Sequence, residues 1–187
     1  MSVGLLITLG VVVILAFWAV GRYNSLVRLR NNRENAFADI DVQLKQRHDL
    51  IPQLVATVKG YAAHEKETLE MVVNARNGAI NAKSIDEKIV AENALSSALA
   101  GLKVTVERYP DLKANTNFLH LQEEVSDIEN KLAAVRRFFN SATKELNTAV
   151  EMFPSNIIAG MFGFKKEMMF DLGTERKTLE QAPEISF

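Results

Sequence analysis

The chain contains no cysteine among its 187 residues. That absence excludes disulfide scaffolds, thiolate metal sites, iron–sulfur clusters, thiol catalysis and lipid attachment through a thiol. Only 9 glycines and 4 prolines are present, too few for a turn-rich β architecture. An excess of one charge is missing as well. Lysine plus arginine number 22 against 23 aspartates and glutamates, a formal net charge of −1. The basic surplus of a nucleic-acid module is therefore lacking, and no nucleic-acid partner is expected. Phosphate-binding glycine loops and the nucleophile elbow of hydrolases do not occur. His48, His64 and His120 stand in no H-E-x-x-H motif, and the residues three before them are Lys45, Tyr61 and Asn117, so no E-x-x-H pair exists either. His120 and Glu124 share an i,i+4 face, but two ligands are too few for a metal site. Asp41 precedes Lys45 by four residues and is expected to pair with it. We expect no catalytic group, no metal and no cofactor, and so no enzyme.

What the chain does have is a long apolar run at its start. No side chain in 1–21 is charged, and 3–20 is apolar apart from Gly4, Thr8 and Gly10. A helix of about 20 residues reaches roughly 30 Å, the thickness of a bilayer's hydrocarbon core. Val3, Leu5, Leu6, Ile7, Val11, Ile14, Phe17, Trp18 and Val20 supply the apolar surface, and Trp18 and Tyr23 fall where an aromatic belt sits. A cleaved signal peptide needs a basic start, a shorter apolar core and small residues at its exit. Here no lysine or arginine precedes the run, and Phe17 and Trp18 occupy the exit. Arg22, Arg28, Arg30 and Arg33 follow it. The positive-inside rule then predicts a single-pass protein of the plasma membrane with its N-terminus outside and its body in the cytoplasm.

The remainder reads as helix. From Thr116 to Phe153, apolar residues step alternately by three and four through Phe118, Leu121, Val125, Ile128, Leu132, Val135, Phe139, Ala142, Leu146, Ala149 and Phe153. Asn115 or Thr116 is the expected N-cap and Pro154 the stop. A 3.5-residue period implies left-handed, near-parallel packing of the coiled-coil kind. Phe37, Ile40, Leu44, Arg47, Ile51, Leu54, Val58 and Tyr61 repeat the stepping, which runs straight through Pro52. One helix kinked or restarted there is expected, with Asp49 placed to cap the second part. A shorter helix is expected from about Glu65 to Asn81, with Leu69, Val72, Val73, Arg76 and Ile80 on one stripe. Another opens with the capping box Ser84-Ile85-Asp86-Glu87 and runs to Tyr109. Short connections predict antiparallel neighbours. Arg47 and Arg76 interrupt apolar stripes and are candidates for buried ion pairs or for snorkelling at the stripe's edge. Residues 157–170 are apolar at their start, and Ile157, Ile158, Met161, Phe162, Phe164, Lys165, Lys166 and Phe170 are candidates for contact with a membrane surface or another subunit, the alternative being a cap on the bundle itself.

The organisation predicted is all-α. A transmembrane helix occupies 1–21, a polar helical stalk 22–36, an antiparallel bundle 37–153, and an apolar C-terminal segment with an extended tail 154–187.

With these segments in place, the sequence resembles the LemA family. The resemblance is carried by Tyr23-Asn24-Ser25-Leu26-Val27, Ile40-Asp41-Val42-Gln43-Leu44-Lys45, Asp49-Leu50-Ile51-Pro52 and Val58-Lys59-Gly60-Tyr61-Ala62. His64-Glu65, Ala75-Arg76 and the run from Glu107 to Asn115 continue it, followed by Phe118, Arg136-Arg137, Phe139-Asn140, Phe153-Pro154, Asn156-Ile157-Ile158-Ala159, Pro183 and Phe187. Phe139 and Phe37 depart from the family pattern, which favours tyrosine at the first and tryptophan or tyrosine at the second. The resemblance implies a bacterial membrane protein with one N-terminal span, a helical-bundle body and no enzymatic activity to carry over. Family genes often neighbour a membrane zinc protease of the HtpX type. The expectation is a membrane-anchored scaffold or adaptor of the inner membrane, in contact with the lipid bilayer and forming a homo-oligomer. Its alternative is a regulator or partner of a membrane protease in envelope maintenance.

Overall fold

The structure is a computed structural model, and it describes residues 3–170. The expected extended tail with Pro183 and Phe187 lies outside the described residues. The elements in chain order are α1 (Val3–Tyr61), α2 (Lys66–Asn81), α3 (Ile85–Val106), α4 (Pro110–Lys113), α5 (Thr116–Glu151) and α6 (Ser155–Met161). Among the described residues all regular structure is helical.

The local signals explain most boundaries. Ser84 and Glu87 form the reciprocal capping box that starts α3: the Glu87 amide donates to Ser84 Oγ at 3.1 Å, and the Ser84 amide donates to Glu87 Oε2 at 3.2 Å. The Lys83 and Ser84 amides, both donating to this carboxylate, hold it below the usual glutamate range. Asn115 is the cap of α5, its Oδ1 accepting from the Phe118 amide at 2.9 Å. Two expectations are corrected. α1 neither breaks nor restarts at Pro52 but continues through it, so Asp49 caps nothing. α3 ends at Val106, short of Tyr109, because Pro110 opens the separate turn α4.

The chain divides into two compact units. One comprises Phe37–Phe138 together with Phe170, and is a four-helix bundle. Its core gathers Ile51, Leu54 and Val58 of α1, Leu69, Val72 and Ala79 of α2, Leu95 and Leu102 of α3, Leu112 of α4 and Phe118 and Leu121 of α5. Paired side chains give the directions. Asp41 meets Lys88 and Arg47 meets Glu92, so α1 and α3 run parallel. Glu65 meets Arg108, and Tyr61 meets Asn115, so α2 and α5 run the other way. This is the antiparallel up-down order that short connections produce. On α2 the inner face is Leu69, Val72 and Ala79, whereas Val73 and Ile80 of the expected stripe are exposed. Asp41 pairs with Lys88 of α3 at 2.5 Å rather than with Lys45.

The other unit comprises the chain up to Ala36 and Phe139–Met169. Residues 22–36, expected as a polar helical stalk, are helical within α1 and pack in this unit. Leu26 is buried with Ile158 and Ala159 of α6, and Trp18, Ala19, Tyr23 and Phe164 flank that cluster. Polar residues serve this packing because their charges are matched. Arg33, 5% exposed, pairs with Glu167 at 3.2 Å, donates to the Met168 carbonyl at 3.3 Å and lies over the Phe139 ring. Asn147 holds the same strand end-on, donating to the Glu167 carbonyl at 2.9 Å and accepting from its amide at 2.8 Å.

Leu95 is 0% exposed at the centre of the bundle. Leu95→Ala is expected to cost about 2–5 kcal/mol through lost transfer energy and the cavity left behind. Thermal unfolding of the detergent-solubilised chain followed by circular dichroism checks this, as a lowered Tm with unchanged helix content.

Candidate functional site

Arg47 occupies a core position of the α1 stripe, four residues before Ile51, so its guanidinium must enter the bundle. It is 0% exposed, and its main partner, Glu92 of α3, is 1% exposed. The two form an ion pair through Arg47 Nη2 and Glu92 Oε2. Arg47 Nη1 donates to Glu129 of α5 at 2.5 Å and to Ser96 Oγ at 3.1 Å. His48 Nε2 lies 2.7 Å from the second Glu92 oxygen, and Arg136 approaches the second Glu129 oxygen at 3.8 Å. Charges this deep persist only when paired and hydrogen-bonded, because stripping their water is expensive. Burial is the largest single influence on Glu92 and raises its pKa. The His48 hydrogen bond and the charges of Arg47 and His48 together outweigh it and hold the carboxyl below the usual glutamate range.

Arg76 completes the arrangement from α2. It makes no ion pair in the cluster. Its Nε donates to the backbone carbonyl oxygen of His48 at 2.7 Å. In an α-helix that carbonyl receives the amide four residues on, and here that residue is Pro52, which has no N–H. Arg76 therefore replaces the missing backbone donor, which is how α1 passes through Pro52 without an unsatisfied carbonyl. All four long helices thus meet at the level of residues 47 and 48.

A cleft of about 300 Å³ lies beside the cluster, lined by Asp41, Lys45, His48, Asp49, Lys88 and Glu92 together with apolar neighbours. Its principal charges are matched, since Lys88 holds Asp41 and His48 holds Glu92. Among the described residues no group of three or more histidines or carboxylates could hold a metal ion. His64 and His120 are exposed, and His120 faces only Glu124 at 3.5 Å. The paired charges and the Arg76 hydrogen bond form a clamp between the four long helices.

The other predicted residues fall into groups. Val3, Leu5, Leu6, Ile7, Val11, Ile14, Phe17 and Val20 are exposed, and Trp18 is half-buried. Arg22, Arg28 and Arg30 are exposed, whereas Arg33 is buried on Glu167. Ile157, Met161 and Phe162 face outward. Ile158 and Phe170 turn inward, Phe170 stacking on Phe37 with ring centroids 6.4 Å apart. Phe164 is half-buried, and Lys165 and Lys166 are exposed, Lys166 pairing with Glu151 at 2.8 Å. Sequence reasoning missed Glu92 and Glu129. A charged residue three after Ile89 on an apolar stripe was the available signal for Glu92. It also missed Phe153, which the stripe places inside but which is 77% exposed because α5 ends at Glu151.

A four-helix bundle locked by a buried charge cluster, and preceded by a bare apolar helical length, defines a class of helical protein with an N-terminal hydrophobic helix. Sequence comparison supplies the particular family. The LemA family profile matches residues 36–187, and the chain belongs to the LemA family. It is 30% identical over 145 residues to Protein LemA of Metamycoplasma hominis, covering 76% of this chain and 66% of that one. It is 23% identical over 175 residues to the magnetosome protein MamQ of Magnetospirillum gryphiswaldense, covering 80% and 64%. It is 22% identical to the magnetosome protein MamQ 2 of Paramagnetospirillum magneticum, covering 88% and 71%. The chain thus spans about two thirds of the length of these curated relatives.

Two outcomes are expected. Arg76→Met should cost about 1.5–3 kcal/mol, the range for a hydrogen bond from a charged donor. In a Pro52→Ala background the new amide supplies the His48 carbonyl, so the cost of Arg76→Met should shrink. A double-mutant cycle on unfolding free energies measures the difference. Separately, a lowered Glu92 pKa means its stabilisation is complete above the unfolded value of about 4.3 and is lost as pH falls through the folded value. Glu92→Gln should therefore lower Tm at neutral pH and flatten the decline of Tm between pH 6 and 3.

Proposed function

We propose that this chain is a non-enzymatic scaffold or adaptor, anchored by a single pass in the bacterial inner membrane, with its N-terminus outside and its helical body in the cytoplasm. The observation that carries the reading is the apolar window at the start of α1, none of which is buried by the protein. The same helix goes on to contribute Ile40, Leu44, Ile51 and Val58 to the interior. Apolar surface left in water costs about 25 cal/mol per Å², and a bilayer is the solvent that removes that cost. Exposed Arg22, Arg28 and Arg30 support the orientation. α3 is also long and apolar enough to cross a membrane, but a third of its window is buried and it carries Glu92 on its inner face. We read it as a bundle helix.

Self-association is supported by the outer face of α3. Val90, Ala94, Ser97, Gly101 and Val104 are exposed and uncharged there, and Val90, Ser97 and Val104 are spaced by heptads. That spacing is the one through which a helix packs against a second copy of itself. Purification of the full chain in mild detergent, with mass and co-purifying proteins measured together, tests the proposal. The expected result is a multiple of the 20.9 kDa chain that falls to a single copy in Val90→Lys/Val104→Lys. A single-copy wild type that retains one membrane protein, such as a protease, in fixed ratio would replace self-association by an adaptor role.

A further inference from the structure

We propose that the corner between α5 and α6, presenting Met152, Phe153, Ile157, Met161 and Phe162, is a second membrane contact. It dips into the headgroup and acyl boundary of the leaflet from which α1 emerges, and the proposal rests on the single-pass reading above. The placement comes first. Ile158 and Ala159 of α6 pack on Leu26, with Trp18, Ala19 and Tyr23 beside them. The Phe162 ring lies 4.6 Å from the Tyr23 ring, and Phe164 lies 6.0 Å from it. If 3–20 crosses the bilayer, Trp18 and Tyr23 mark its interface, and side chains in contact with them share that depth.

The outward chemistry suits lipid. Phe153 is 77% exposed and Met161 73%, and a patch of such residues on a protein surface marks a membrane or protein contact. Its level beside the span selects the membrane. The corner is also held rigidly in this pose. Ser155 Oγ donates to the carbonyls of Ala149 at 2.5 Å and Met152 at 2.8 Å, and the Phe164 amide donates to the Ala159 carbonyl at 2.9 Å. Gly163 turns the chain at φ 72°, a left-handed value that favours glycine. Lys165 then follows, exposed, while Arg30 lies over the Phe164 ring. Cations next to an inserted apolar edge match anionic headgroups. Interfacial helices of this kind reach about 5–10 Å into the boundary.

The absence of native cysteine makes the test direct. Ile14→Cys, Lys66→Cys, Met161→Cys and Phe162→Cys are made singly in the full chain, Lys66 being an exposed position at the start of α2 and outside the proposed self-association face. Each is labelled with an environment-sensitive fluorophore and reconstituted in phosphatidylcholine–phosphatidylglycerol vesicles. Spin-labelled lipids with shallow or deep nitroxides and aqueous iodide serve as quenchers. The expected result is that positions 161 and 162 respond to the shallow lipid several-fold more than position 66 and are protected from iodide, while position 14 responds to the deep lipid. If 161 and 162 are as open to iodide as 66 while 14 responds to lipid, the anchor stands and the second contact is overturned. Shielding of 161 and 162 from both lipid and iodide would overturn it in favour of a covering protein. Failure of position 14 to respond would remove the anchor reading and this inference with it.

Discussion

A proline in the middle of a long helix leaves the carbonyl four residues earlier without its amide, and in this protein that carbonyl belongs to His48. Arg76 reaches across from α2 to supply the missing donor. One residue before His48, Arg47 turns into the core and is met by Glu92 and Glu129. The backbone defect and the buried charge therefore fall on the same turn of α1, and every other long helix of the bundle sends a side chain to it. Apolar stripes with a 3.5-residue period pack almost as well after a slip of one heptad. A guanidinium that must find two particular carboxylates does not tolerate such a slip, because the misplaced charge would be left unpaired in a dry interior. The cluster selects the register that the apolar residues alone leave degenerate.

Much of this was legible in the sequence. The 3-4 stepping located α5, the Ser84–Glu87 box started α3, and Arg47 was conspicuous as a charge on an apolar stripe. These are local signals, carried by residues within a few turns of one another. The partners of Arg47 were not legible, because Glu92 and Glu129 lie 45 and 82 residues away and only the folded bundle brings them within reach. What carries α1 through Pro52 without a restart was not legible for a related reason. Proline rules describe a helix alone, whereas the donor that rescues this helix comes from another. The packing of residues 22–36 was not legible, because Arg33 looks solvent-seeking by composition. Its burial depends on Glu167 and Phe139, which lie more than a hundred positions along the chain.

In the unit that holds the start of α1, the unusual feature is how a strand without regular structure is kept in place. Residues 163–169 follow α6 with no helix of their own. Asn147 satisfies both backbone groups of Glu167, and Arg33 takes its side chain and the next carbonyl. An amide side chain offers both a donor and an acceptor, so it can satisfy a residue's two backbone groups at once. The polar residues that read as surface in the sequence are the fasteners of this segment.

The separation between Arg47 and its carboxylates also bears on how the protein is made. α1 precedes its partners in the chain, and its apolar content does not stop at residue 20 but recurs through Phe37, Ile40, Leu44, Ile51 and Leu54. Until α3 and α5 have emerged, Arg47 lacks the carboxylates that neutralise it in the bundle and must stay hydrated. Asp41 and Lys45 keep the same part of α1 polar, so the apolar face of this helix closes over the arginine only once Glu92 and Glu129 are in reach.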